Sequence, residues 1–132
     1  MVRGFVYVII INMLTAKKTI GNFGEQIARD FLARRGYKII DSNKKIGRRE
    51  IDIITAINGT MVFVEVKTLA TAWLTPAEEM LTRRQIEIIK KAIHLYCRNY
   101  RINMDNTRLD FISININRQT KKAKLKHYLD IS

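Results

Sequence analysis

Several residue types that mark whole functional classes are scarce in this sequence. There is one cysteine, Cys97, which excludes an intramolecular disulfide framework and any cysteine-rich zinc module. One proline and six glycines among 132 residues exclude a collagen-like or low-complexity chain. Acid is short as well: 12 Asp and Glu stand against 24 Lys and Arg, for a net charge of +12. No apolar run approaches the roughly 20 residues of a transmembrane helix. What is present is 47% hydrophobic residues, enough for one core in a chain close to single-domain size. The basic excess calls for a polyanionic partner, nucleic acid or an anionic membrane surface. The basic residues do not gather on one amphipathic helix, so a membrane is not expected.

The N-terminal run from Gly4 to Leu14 (GFVYVIIINML) follows Arg3 and has the outline of a signal peptide. Asn12 interrupts it and no clear small-residue cleavage site follows, so a cytoplasmic location is expected over secretion. The favoured readings of residues 1–19 are an extra β-strand or a start placed too early, with Met13 the true first residue. Residues 20–132 read as one α/β domain.

From Asn22 the pattern is helical: Phe23, Ile27 and Phe31 recur every four residues, and Gly36 ends the run. Tyr37 to Asp41 predicts a short strand, followed by a basic loop (SNKKIGRR) that carries Arg48 and Arg49. Glu50–Ile57 and Thr60–Thr68 are two β-branched runs separated by Asn58-Gly59, the strongest short hairpin signal. Thr75-Pro76-Ala77-Glu78 has the spacing of a capping box opening a helix that runs to about Arg98. Arg108–Ile116 and Ala123–Ile131 read as two further strands. The order α-β-β-β-α-β-β implies a mixed sheet flanked by helices.

The hairpin carries the chemistry. With Asn58 and Gly59 as its turn, Asp52 opposes Glu65 and Glu50 opposes Lys67, all four on one face. Ile51, Ile53, Ile57, Val62, Val64 and Val66 fill the other face as core. Like charges directly opposed across strands are destabilising, so two facing carboxylates call for a cation. Mg²⁺ takes one or two carboxylates together with water and substrate phosphate, and a neighbouring lysine orients a water or offsets developing negative charge. The ordinary alternative is a structural cross-strand pairing in which Lys67 bridges Glu50.

These residues form part of a longer ordered pattern. Gly21-x-x-Gly24-Glu25 with Ala28, Gly36-Tyr37, Asn43, Glu50-Ile51-Asp52-Ile53-Ile54, Val62-Phe63-Val64-Glu65-Val66-Lys67 and Arg108-x-Asp110 together resemble the YraN-like family. That family is similar to the PD-(D/E)XK nucleases of restriction-endonuclease-like fold, whose core is αβββαβ. The resemblance implies a Mg²⁺-dependent DNA endonuclease, with Mn²⁺ as a substitute ion, acting on branched or damaged DNA. It implies Asp52, Glu65 and the main-chain carbonyl of Val66 as metal ligands, Lys67 as the catalytic lysine and Glu25 as an accessory acid. Related resolvases act as two-fold dimers, so a homodimer is a further expectation. Arg49 stands where the family usually has glycine, and Thr68-Leu69 replace a basic residue often found after the lysine.

The remaining candidates have competing explanations. Asn22-x-x-Glu25 has capping-box spacing, so Glu25 is either a site acid or a helix cap. Glu50 is either a site acid or the partner of Lys67. Arg83 and Arg84, with Gln85, lie where related nucleases place a residue near the scissile phosphate, or they form a solvated basic face. Lys122, Lys124 and Lys126 line one face of the last strand, as a DNA-backbone contact or as protection of a sheet edge. His94, His127 and Cys97 lack metal-ligand spacing and read as structural, and Trp73 as a packing residue. A non-catalytic nucleic-acid-binding protein of the same fold is the alternative to the nuclease.

Overall fold

A computed structural model describes residues 3–10, 20–70 and 81–132. In chain order the elements are β1 (Arg3–Ile10), α1 (Ile20–Arg34), β2 (Lys38–Ile46), β3 (Arg49–Ile57), β4 (Thr60–Leu69), α2 (Arg83–Tyr100), β5 (Thr107–Asn117) and β6 (Lys122–Leu129). The strands form one sheet in the order β1-β6-β5-β4-β3-β2. Only β4 and β5 pair in parallel, and α2 lies in the long connection that such a pairing requires. The arrangement is the mixed sheet with helices on both faces expected of an αβββαβ core.

Two apolar clusters divide the sheet into faces. Ala28 and Leu32 of α1 are buried against Ile53, Val62, Val64, Val66, Ile112, Ile114 and Leu125. On the other face, Ala92, Ile93, Tyr96 and Cys97 of α2 meet Ile46, Ile51, Ile54, Phe63 and Leu109. Cys97 is thus a core residue. The first strand is tied into the α1 face, where the Tyr7 and Phe31 rings lie 4.7 Å apart and the Arg35 guanidinium sits 4.8 Å from the Tyr7 centroid.

The Asn58-Gly59 turn forms as expected, both residues at positive φ (48° and 79°), and Ile57 opposes Thr60. Elsewhere the elements differ from their sequence outline. The basic segment after Asp41 is not a loop: β2 continues to Ile46, which is buried, and the chain reverses only at Gly47-Arg48. The second helix starts later than Thr75. Its N-cap is Thr82, whose side chain accepts from the Gln85 N–H while Gln85 Oε1 accepts from the Thr82 N–H. Thr82-Arg83-Arg84-Gln85 is itself a capping box, a closer match to the start of the apolar stripe. The Thr75–Glu78 box, Trp73 and Met13 lie outside the described residues.

Candidate metal centre

The hairpin register holds from the turn as far as Ile53 opposite Val64, and there the regular pairing of β3 with β4 stops. The cause is a kink shared by two strands. Asn43 in β2 adopts a left-handed φ of 51°, and the β2–β3 register places it against Asp52. Ile51 packs on the α2 side while Ile53 packs on the α1 side, so the strict alternation of side chains is lost at Asp52. Two expectations are corrected by this. Ile51 does not share a face with Ile53, and Glu50 lies beyond the last regular β3–β4 pair instead of opposing Lys67.

The kink frees Asp52 to turn toward β4, where its Oδ2 accepts a 2.8 Å hydrogen bond from the Val66 N–H. An extended residue directs its N–H and C=O toward the same neighbour. The Val66 carbonyl therefore lies on the Asp52 side of β4, next to the two acids. Glu65 is largely buried, with its side chain 12% exposed, and Lys67 Nζ lies 3.7 Å from Glu65 Oε1. The ion pair of Lys67 is with Glu65 on its own strand, not with Glu50.

Glu25 reaches this place from α1. A methyl group at Gly24 would overlap the Thr68 side chain, so only glycine lets the helix approach the end of β4 this closely. The helix is already formed at Ile20, which leaves Asn22 inside it and removes the capping explanation for Glu25. Glu25 instead hydrogen-bonds the Asn43 side chain and lies within electrostatic reach of Asp52 and Glu50.

The electrostatics are those of an acid cluster without enough positive charge. Burial, then the charge of Asp52, pushes the Glu65 carboxyl up to about 8, against the pull of Lys67. Asp52 is raised by burial despite its bond from Val66, and Glu25 is raised by burial and by Asp52. Burial and the Asp52 charge together disfavour ionisation of Glu65, and a hard cation between the two carboxyls would relieve that. The donor set is all oxygen, two carboxylates and a carbonyl, and fits Mg²⁺ or Mn²⁺. No larger cage of His, Cys, Asp or Glu assembles among the described residues, and a magnesium site completed by water and phosphate needs none.

Glu25, Glu50, Asp52, Glu65 and Lys67 are thus brought into one neighbourhood. The basic candidates are dispersed. Arg48 and Arg49 are exposed at the β2–β3 turn, and Arg83 and Arg84 are exposed at the start of α2. Lys122, Lys124 and Lys126 do not protect an edge, because β6 is paired on both sides, with β1 and with β5. His94 is exposed rather than structural. His127 is buried against Asp110, as a satisfied histidine should be. Asn43 is the site residue that reasoning from the hairpin alone overlooked. Asparagine tolerates a left-handed conformation, so its presence inside a strand was the available signal.

The model of the uncharacterised protein family UPF0102 matches residues 24–114. The chain belongs to this family. A UPF0102 protein of Alkaliphilus oremlandii is 40% identical over 111 residues, covering 83% of this chain and 94% of the relative. One from Porphyromonas gingivalis is 35% identical, covering 81% of this chain and 78% of the relative. One from Caldanaerobacter subterraneus is 34% identical, covering 86% and 94%. UPF0102 is the YraN family of the sequence resemblance. The matched segment contains every acid of the cluster and Lys67, while β1 and the β6 lysines fall outside it.

Proposed function

We propose that the protein is a metal-dependent endonuclease that hydrolyses phosphodiester bonds in DNA, with branched or damaged DNA as its substrate. The observation that carries this reading is the pair of largely desolvated carboxylates, Asp52 and Glu65, brought together beside Lys67 at the splayed end of β3 and β4. A purely structural pair would be given donors. This one is given another acid.

Asp52, Glu65 and the Val66 carbonyl would hold Mg²⁺ or Mn²⁺. The ion supplies Lewis-acid polarisation of the phosphate and neutralises the charge that develops on it. Lys67, held near Glu65, orients the attacking water and stabilises negative charge on the phosphoryl oxygens. Glu25 extends the acid cluster from α1, where its raised affinity for protons suits it to accept one from that water. The net charge of +12 draws a phosphate backbone to the surface around the cluster, and a cation held between the acids would let a phosphate approach them. No helix among the described residues is long and apolar enough to cross a membrane.

The test is incubation of the purified chain with supercoiled plasmid, single strands and four-way junctions, with Mg²⁺, with Mn²⁺ and with chelator. Cutting that requires the metal and disappears in Glu65→Gln is the expected result. DNA binding with no metal-dependent cutting on any substrate overturns the nuclease. It leaves the non-catalytic binding protein, a reading favoured by the absence of a third imidazole or carboxylate ligand among the described residues.

A further inference from the structure

Among the described residues, half of one sheet face has no helix on it. The apolar cluster of α2 draws on β2, β3, β4 and the start of β5, and contains nothing from β6 or β1. Lys122, Lys124, Lys126 and Tyr128 stand on this open half, since Ala123, Leu125 and His127 between them point to the α1 side. The facing positions of β1 are Val6, Val8 and Ile10, which are 50%, 67% and 82% exposed.

The open half is continuous with the acid cluster. Across the sheet Lys67 pairs with Ser113, and Ser113 with Lys126. At the usual strand spacing the backbones of Lys67 and Lys126 are roughly 10 Å apart. One row along, Glu65 stands beside Phe111 and Phe111 beside Tyr128. The Phe111 and Tyr128 rings stack at 5.8 Å, and Lys126 Nζ sits 4.9 Å from the Tyr128 centroid. On the far side Gly4 opposes Tyr128, and a Cβ there would come within 3.1 Å of the ring. Glycine at that position spares the half-buried tyrosine ring a close contact from β1. Within the paired strands of this half, Glu65 at its site end is the one carboxylate.

We propose that this face docks single-stranded nucleic acid and leads it to the Asp52–Glu65 cluster, with Tyr128 as the stacking platform. Lysines on one face with no acid among them match a phosphate backbone. Exposed valine, isoleucine and a tyrosine ring match bases, and only an unpaired strand offers base faces to them. A duplex keeps those faces stacked inside and would leave the apolar half of the surface unmatched. The inference deepens the nuclease reading by naming a single-stranded arm as part of the substrate. The docking itself does not require cleavage.

The test measures binding of fluorescent oligothymidylate in chelator, against a duplex of equal length, over a range of salt. We expect the single strand to bind more tightly, Tyr128→Ala to weaken it about tenfold, and Tyr128→Phe to retain it. The double variant Lys122→Gln/Lys124→Gln, at exposed positions, lowers the salt slope by about 0.7 for each lost contact and keeps the fold readable should Tyr128→Ala unfold. Equal affinity for duplex, or a slope unchanged in the double variant, overturns the proposal. Tighter binding to phosphatidylserine vesicles than to oligothymidylate overturns it in favour of a membrane surface. A dimer that Val8→Glu converts to monomer overturns it in favour of a second copy on this face. Oligothymidylate binding by a chain that cuts nothing supports the docking face while overturning the nuclease, so the two readings fail separately.

Discussion

Two carboxylate sites sit in the same sheet and are provided for in opposite ways. Asp110 on β5 is fully buried and receives four hydrogen bonds: from Arg108 Nε at 2.8 Å and Nη2 at 2.9 Å, from His127 Nε2 at 2.8 Å, and from the Asp130 N–H at 2.9 Å. Burial raises its affinity for protons, but the bonds from His127, Arg108 and Asp130 outweigh this and hold it below the usual carboxylate value. Arg108 is itself anchored by the Tyr37 hydroxyl at 3.0 Å. Asp52 and Glu65 on the neighbouring strands have one backbone donor and one lysine between them, and each is raised. The first site is finished by the fold. The second is left short of positive charge, and this difference is the ground for reading it as a cation site.

The sharpest way to break the comparison is Asp110→Asn. It leaves the half-buried Arg108 without its counter-charge and the buried His127 and Asp130 N–H with a weaker acceptor, and we expect a loss of about 2–4 kcal/mol in urea unfolding. Next is Lys67→Ala, which removes the basic side chain paired with Glu65. Metal-dependent cutting should fall about 10²–10³-fold, with the stability little changed, in a plasmid-nicking assay run beside thermal melts. Glu65→Gln should abolish cutting but leave the protein in chelator about as stable as the parent, because glutamine is neutral, as the Glu65 carboxyl is in the folded chain below about pH 8. An equally destabilised Glu65→Gln would make the two sites alike and remove the distinction.

Stability against pH separates the sites by sign. Glu65 holds a proton in the folded chain up to about pH 8 and loses it above about 4.5 when unfolded. The folded state therefore binds more protons in that window, and stability in chelator declines as pH rises through it. Mg²⁺ should reverse the slope by displacing the proton. Asp110, held below 3.8, contributes stability that is present above that value and lost only in stronger acid. Urea unfolding from pH 3 to 8 reads both trends, and Glu65→Gln flattens only the upper one. The smallest effect is that of Gly24→Ala, which pushes α1 off Thr68 and costs about 1–3 kcal/mol of overpacking. It should also weaken cutting through displacement of Glu25.

Much of this contrast was legible in the sequence. Asn58-Gly59 determines the hairpin register, because a two-residue turn with both φ positive leaves no freedom in pairing. From that register Asp52 and Glu65 could be brought together before any coordinates were considered. Glu50 could not be placed, since alternation predicts its side only while the strand stays regular, and a left-handed Asn43 on the neighbouring strand ends that regularity. The four-bond environment of Asp110 was also hidden: Arg108-x-Asp110 is visible as a local pair, but His127 and Asp130 approach from another strand. The second helix showed two capping boxes in succession, and local spacing does not rank them. Burial of Ile46 extended β2 through a run whose charges had the look of a loop.

The parallel pairing of β4 with β5 also determines the order in which the site assembles. Asp52, Glu65, Val66 and Lys67 all belong to one hairpin, and hairpins close within about 1–10 μs. Asp110 takes its donors from its own strand and from the β5–β6 hairpin, and the two hairpins join only when Met61 finds Thr107 across the α2 connection. The chain therefore meets the repulsion between its two acids early, while it is still mostly unfolded. Divalent cations, by relieving that repulsion in the nascent hairpin, should speed refolding as well as fill the finished site.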